Sequence, residues 1–219
     1  MNDLDLANLC RQSYLEDGVM NADEIGGLAI KCFVTRSAPR ALVFRGTADL
    51  AGWLEDILAK PIALHGFGQG MAHSGFMECW SAIKRQTEHV VGDSAITITG
   101  HSLGGAVATL AAMSFAGQVD RVVTFGSPRV GDATFAASYK ERGLVEKTTR
   151  YVNESDLVPF VPGLLAGYRH VCPATWFNGR EWGTMRWWPW LKMAYKQARG
   201  DENFFADHWI DHYIDNVSF

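Results

Sequence analysis

Residues 95–106 read Ala95-Ile96-Thr97-Ile98-Thr99-Gly100-His101-Ser102-Leu103-Gly104-Gly105-Ala106, and this stretch decides the fold. The β-branched run Ala95–Thr99 predicts a buried strand. Leu103–Phe115, apolar nearly all round and closed by Gly117, predicts a buried helix. Between them lies G-x-S-x-G, a pattern too short to carry weight alone. A strand running into it and a helix leaving it give the setting of a nucleophile elbow. In so tight a turn, side chains two before and two after the serine would collide, so Gly100 and Gly104 keep those positions empty. Gly105 and Ala106 let the helix lie close to the sheet. The helix N-terminus then points at Ser102 and favours negative charge developing there.

Working outward, the pattern alternates. Leu28–Thr35 and Ala41–Phe44, separated by Ser37-Ala38-Pro39-Arg40, predict a hairpin. Ser74–Val91 predicts a helix, Val119–Phe125 a strand, Asp132–Glu141 a helix and Thr148–Val152 a strand. The expected class is α/β, a mostly parallel central sheet with helices on both faces. Leu4–Tyr14 has helical spacing and is expected to cover an edge of the sheet. At 219 residues the expectation is a single domain spanning 1–219.

A net charge of −4 with mixed signs leaves no basic stripe for nucleic acid. Met1–Leu6 has neither a basic n-region nor an apolar h-region, so a cytoplasmic location is expected. No apolar run is long enough to span a bilayer. Cys10, Cys32, Cys79 and Cys172 are scattered, without C-x-x-C or metal-like clustering, and read as reduced and buried.

A serine hydroxyl needs a base to take its proton and a carboxylate to orient that base. In a sheet of this type the chain order is Ser, then Asp or Glu, then His. Asp156 follows the strand ending at Val152, on the same sheet edge as the elbow, and is the candidate acid; Glu154 is the fallback. The base must then be His170, His208 or His212. His170 falls at the start of an expected last strand and reads as structural. His208 on the loop before the C-terminal helix is favoured over His212 within it, because a loop residue can reach over the sheet edge. The i, i+4 spacing of His208 and His212 also suits a metal, but H-E-x-x-H and a third ligand are missing, so no metal site is expected.

From about Leu42 to the C-terminus the chain resembles the class 3 lipases. The matching blocks are Val43-Phe44-Arg45-Gly46-Thr47, Trp53-Leu54-Glu55-Asp56, His73-Ser74-Gly75-Phe76, the elbow, Phe125-Gly126-Ser127-Pro128-Arg129-Val130-Gly131 and Asn153–Pro159. The resemblance implies an α/β-hydrolase fold with Ser102 as nucleophile, Asp156 as acid and His208 as base. It further implies an oxyanion hole from the backbone N–H groups of Thr47 and Leu103, with the Thr47 hydroxyl as a possible contributor. His208 followed five residues later by Tyr213 resembles a bacterial form of the last block; His212 stays the alternative.

Two segments stay open. Residues 48–59 correspond to the family's lid, and Leu50, Trp53, Leu54, Ile57 and Leu58 suit either a lid or a helix docked on the core. The stretch 176–205 holds five of the eight tryptophans, interleaved with Arg180, Arg186 and Lys192. It suits a lipid interface, an acyl pocket or plain packing over the sheet edge. The expected function is cofactor-free hydrolysis of carboxylic esters through an acyl-enzyme, with a lipid or small ester as substrate and transient contact with a lipid interface. Acylglycerols lead; short-chain esters and phospholipids are the alternatives, and an inactive hydrolase-fold binding protein is the rival from another class.

Overall fold

The computed structural model describes residues 1–26, 30–47, 49, 52–53, 64–66, 70–153, 156–163, 166–177 and 208–217. Its elements in chain order are α1 (Asp3–Gln12), β1 (Ala22–Gly26), β2 (Lys31–Thr35), β3 (Arg40–Phe44), β4 (Leu64–Gly66), β5 (Met71–His73), α2 (Ser74–Val91), β6 (Ile96–His101), α3 (Leu103–Ser114), β7 (Val119–Phe125), α4 (Ala133–Glu141), β8 (Thr148–Val152), β9 (Thr175–Trp176) and α5 (Ile210–Val217). Among the described residues the main sheet has seven strands, in the order β1-β2-β3-β6-β7-β8-β9. β1, β2 and β3 pair antiparallel, and every pairing from β3 to β9 is parallel. The hairpin and the mostly parallel sheet expected from the pattern are therefore present, with β1 as an additional strand.

Strand alternation divides the core between the two faces. Leu42, Phe44 and Val122 join α2 and α3 in one cluster, while Ala41, Val43, Val123 and Phe125 join α1 and α5 in the other. On α2 the inward residues Phe76, Cys79, Trp80, Ile83, Thr87 and Val91 follow helical spacing. Every residue of α3 from Leu103 to Met113 is buried, which explains its all-round apolar character.

α1 opens on a capping box, in which Asn2 and Asp5 exchange side-chain-to-backbone hydrogen bonds at 2.8 Å. It lies over the central strands rather than an edge: Leu6, Ala7 and Cys10 pack with Val43, Val123 and Phe125. Asp3 pins its start, accepting from Tyr151 Oη at 2.6 Å and pairing with Arg121 at 2.5 Å. Helical spacing reports that one face is apolar, not which strands that face covers. His170 also differs from expectation, since the last strand begins at Thr175 and His170 lies in the loop before it.

Trp80 joins α2 to the sheet. It is fully buried, meets Phe44 and Phe115 edge-on with centroids 6.0 Å apart, and donates from Nε1 to Ser114 Oγ at 3.1 Å. Trp80→Ala is expected to cost about 3–5 kcal/mol, read as a lower urea midpoint. An unchanged midpoint would show that this contact does not hold α2.

Candidate active site

At the end of β6 the chain reverses through one residue. Ser102 has φ 59° and ψ −129°, a left-handed conformation that a non-glycine residue rarely adopts, and α3 starts at the next residue. A Cβ on Gly100 would run into the Gly104 carbonyl, and one on Gly104 into the Phe44 carbonyl of β3. The two glycines therefore let β3, β6 and α3 meet at the turn. Ser102 N donates to Phe125 O at 3.0 Å, which fixes the turn to β7 as well. Ser102 Oγ is buried and has no hydrogen-bond partner among the described residues.

Asp156 follows β8 and is 1% exposed. Its Oδ1 accepts from Val158 N at 2.9 Å, a local turn bond. Its Oδ2 accepts from His208 Nδ1 at 2.7 Å and from Tyr213 Oη at 2.5 Å. Three donors satisfy a carboxylate that burial would otherwise penalise. Burial, and then the adjacent Asp156 charge, push the Tyr213 phenol well above its ordinary value, so it stays a donor. The loop itself is held by its carbonyls: His170 Nε2 donates to Pro159 O at 2.7 Å, and Arg129 donates to Phe160 O and, at 2.8 Å, to Pro162 O.

His208 lies just before α5 and is 3% exposed; its Nε2 has no partner among the described residues. Tyr14, Thr47, His101, Ser102, His208 and Trp209 line one cavity of about 470 Å³. The structure thus brings Ser102, Asp156, His208 and Thr47 together. Leu103 is the first residue of α3, where helix geometry leaves its N–H without an intrahelical acceptor. The Thr47 hydroxyl is turned toward Asp49, donating to its carbonyl at 3.3 Å and accepting from its N–H at 3.2 Å.

His212 is exposed on α5. Glu154 lies outside the described residues, as does most of 48–59, of which Asp49, Gly52 and Trp53 are described; Trp53 stacks on Phe76. Of the tryptophan-rich stretch only Trp176 and Phe177 are described, Phe177 stacking on Tyr151 at 5.1 Å. All four cysteines are free and buried; burial pushes Cys10 and Cys32 up to about 12, which suits inert thiols. Among the described residues no cluster of three or more His, Cys, Asp or Glu side chains could hold a metal ion. Sequence reasoning gave no role to Tyr14, His101 or the Tyr213 hydroxyl. The position of Tyr213 five residues after His208 was the one available signal.

The family model for lipase (class 3) matches residues 41–166, and the chain belongs to that family. A lipase of Rhizomucor miehei is 30% identical over 151 residues, covering 63% of this chain and 41% of that protein. A secreted mono- and diacylglycerol lipase of Fusarium solani is 32% identical over 152 residues, covering 62% and 43%. A chloroplastic phospholipase A(1) of Arabidopsis thaliana is 35% identical over 150 residues, covering 56% and 33%. The chain thus spans less than half the length of these relatives. These fungal and plant proteins lend no support to the bacterial form of the last block. Among solved structures, the Rhizomucor miehei triacylglyceride lipase superposes with a TM-score of 0.65 at 23% identity, over 80% of this chain and 77% of that one. A lipase of Yarrowia lipolytica superposes at 0.62 with 26% identity, over 73% and 67%. The fold is that of the α/β hydrolases.

Three histidines are held away from their charged form. Burial lowers His73, burial and then His208 lower His101 well below 6.5, and burial followed by Arg150 and Arg129 lowers His170 likewise. Folded, His101 and His170 stay neutral; unfolded, they bind protons below about pH 6.5. The unfolded chain then carries more protons, so stability falls as pH drops below 6.5, by up to about 1.4 kcal/mol per pH unit for each ring. Urea midpoints at pH 7.5 and 5.5 are expected to show this loss. Equal midpoints would contradict it.

Proposed function

We propose that this chain is a serine carboxylic-ester hydrolase, a lipase that cleaves acylglycerols through an acyl-enzyme. The observation that carries the reading is a pair of atoms without a partner among the described residues, Ser102 Oγ and His208 Nε2, buried at one cavity with Asp156 on the far nitrogen of His208. In the first half-reaction Ser102 Oγ attacks the ester carbonyl carbon and His208 Nε2 takes its proton. The oxyanion that forms is held by the N–H groups of Thr47 and Leu103, each donor worth about 10²–10³ in rate. The ester C–O bond breaks and His208 returns the proton to the departing alcohol. Water then attacks the acyl-enzyme with His208 as base, releasing the acid and restoring Ser102. Asp156 holds the Nδ1–H tautomer and stabilises the imidazolium through both steps. The chemistry needs no cofactor.

Residues 48–59 as a lid and 176–205 as a lipid-contacting border belong to this proposal. A phospholipid substrate is the second reading, favoured by the Arabidopsis thaliana phospholipase A(1) relatives at 35% and 32% identity. Hydrolysis of p-nitrophenyl esters from short to long acyl chains, with and without micelles, tests the reading. Expected are rates that rise with chain length and jump above the micelle threshold, and a loss of at least about 10³-fold in kcat for Asp156→Asn. A peak at acetate or butyrate without the jump would replace lipase by short-chain esterase. No turnover of any ester would favour the inactive binding protein.

A further inference from the structure

The hydrolytic reading leaves one buried imidazole unused. His101, the residue before Ser102, is 4% exposed, and both of its ring nitrogens are engaged. Nδ1 meets Tyr14 Oη at 2.9 Å, and Nε2 meets the main-chain carbonyl oxygen of His208 at 2.7 Å. We infer that Tyr14 and His101 are positioning residues, a hydrogen-bond relay that ties the main chain of His208 to the segment just after α1, where Tyr14 packs against Gly46. The inference rests on the proposed roles of Ser102 and His208.

The direction of each bond follows from its atoms. A carbonyl oxygen only accepts, so His101 Nε2 carries a hydrogen and donates it. In a neutral ring Nδ1 is then the acceptor, and Tyr14 Oη donates to it. Burial keeps both groups in these states, lowering His101 well below the usual imidazole range and raising the Tyr14 phenol above its own. Gly46 lies against the Tyr14 hydroxyl, on the chain just before Thr47. A Cβ on Gly46 would collide with that hydroxyl, so the residue before Thr47 must be small for the relay to close.

The relay supplies what Asp156 alone cannot. The bond from His208 Nδ1 fixes one ring atom and leaves the ring free to pivot about it. Holding the main chain of His208 as well restrains that pivot and aims Nε2. The His101 ring also packs against the His208 ring, with centroids 4.6 Å apart and planes tilted by 33°. The far end of the relay is firm, because α1 is packed on the sheet through Leu6, Ala7 and Cys10 and pinned at Asp3. The contact spans 107 residues between His101 and His208 and 87 between Tyr14 and His101, so local structure does not produce it.

Two amide substitutions separate the bonds. In His101→Gln the amide nitrogen reaches about as far as Nε2 and can still donate to the His208 carbonyl. In His101→Asn it stops at the level of Nδ1. Reaction of Ser102 with a fluorophosphonate is followed to completion, so that its amplitude counts folded molecules and its rate is read per folded molecule. The expected result is a rate and kcat within a few-fold of the native protein for His101→Gln. His101→Asn should lose on the order of 10-fold to 10²-fold in kcat with KM unchanged, whereas Tyr14→Phe, which like the Gln variant keeps a donor to the His208 carbonyl, should lose no more than His101→Gln. The ¹⁵N spectrum of His101 in the native protein should show the Nε2–H tautomer. Equal rates for the Gln and Asn variants, a rise in KM instead of a fall in kcat, or an Nδ1–H tautomer would overturn the relay. A native protein that forms no adduct at Ser102 would instead overturn the hydrolase reading beneath it.

Discussion

The left-handed turn at Ser102 is the constraint on which the rest of the structure depends. A non-glycine residue at φ 59° costs on the order of 1–3 kcal/mol and persists only where its surroundings hold it. Here they do so from three sides: β3 through the contact with Gly104, β7 through Phe125 O, and α3 through its first turn. Each demand appears in the sequence around the turn. Glycines stand where backbone meets backbone, and α3 is apolar on every side because it is covered on every side.

The same turn sets where partners must arrive. Ser102 leaves the C-terminal end of β6, Asp156 follows the C-terminal end of β8, and His208 comes in just before α5. Parallel strands bring these ends to one edge of the sheet, which is where open α/β sheets gather their functional groups. The cost of burying Asp156 is offset by three hydrogen bonds, two of them on the oxygen that meets His208. Packing and chemistry therefore use the same atoms, and the buried carboxylate ties the C-terminal helix to the loop after β8.

Much of this was legible in residue order, for reasons that also explain what was not. Ser74–Val91, Val119–Phe125 and Thr148–Val152 match α2, β7 and β8 because an apolar period and a clear stop coincide in each. β1 went unread because Ala22-Asp23-Glu24-Ile25-Gly26 is an edge strand whose acidic residues break the alternation. α1 was placed at the wrong part of the sheet, since periodicity carries no information about which strands a face will meet. At the site, pattern and chain order nominate residues, and the structure sets Ser102 and His208 on one cavity with Asp156 bonded to His208. The hydroxyl of Tyr14 has no such signal and that of Tyr213 only its place five residues after His208, because their contacts span 87 and 57 residues and depend on packing.

The central claim is that Ser102 and His208 act as one unit, and a double-mutant cycle on kcat/KM for a p-nitrophenyl ester measures it directly. If the unit is real, Ser102→Ala and His208→Ala each remove nearly all activity, and the double variant is no slower than the slower single one. Losses that multiply between the two positions would contradict the account, since they would mean that each residue works without the other.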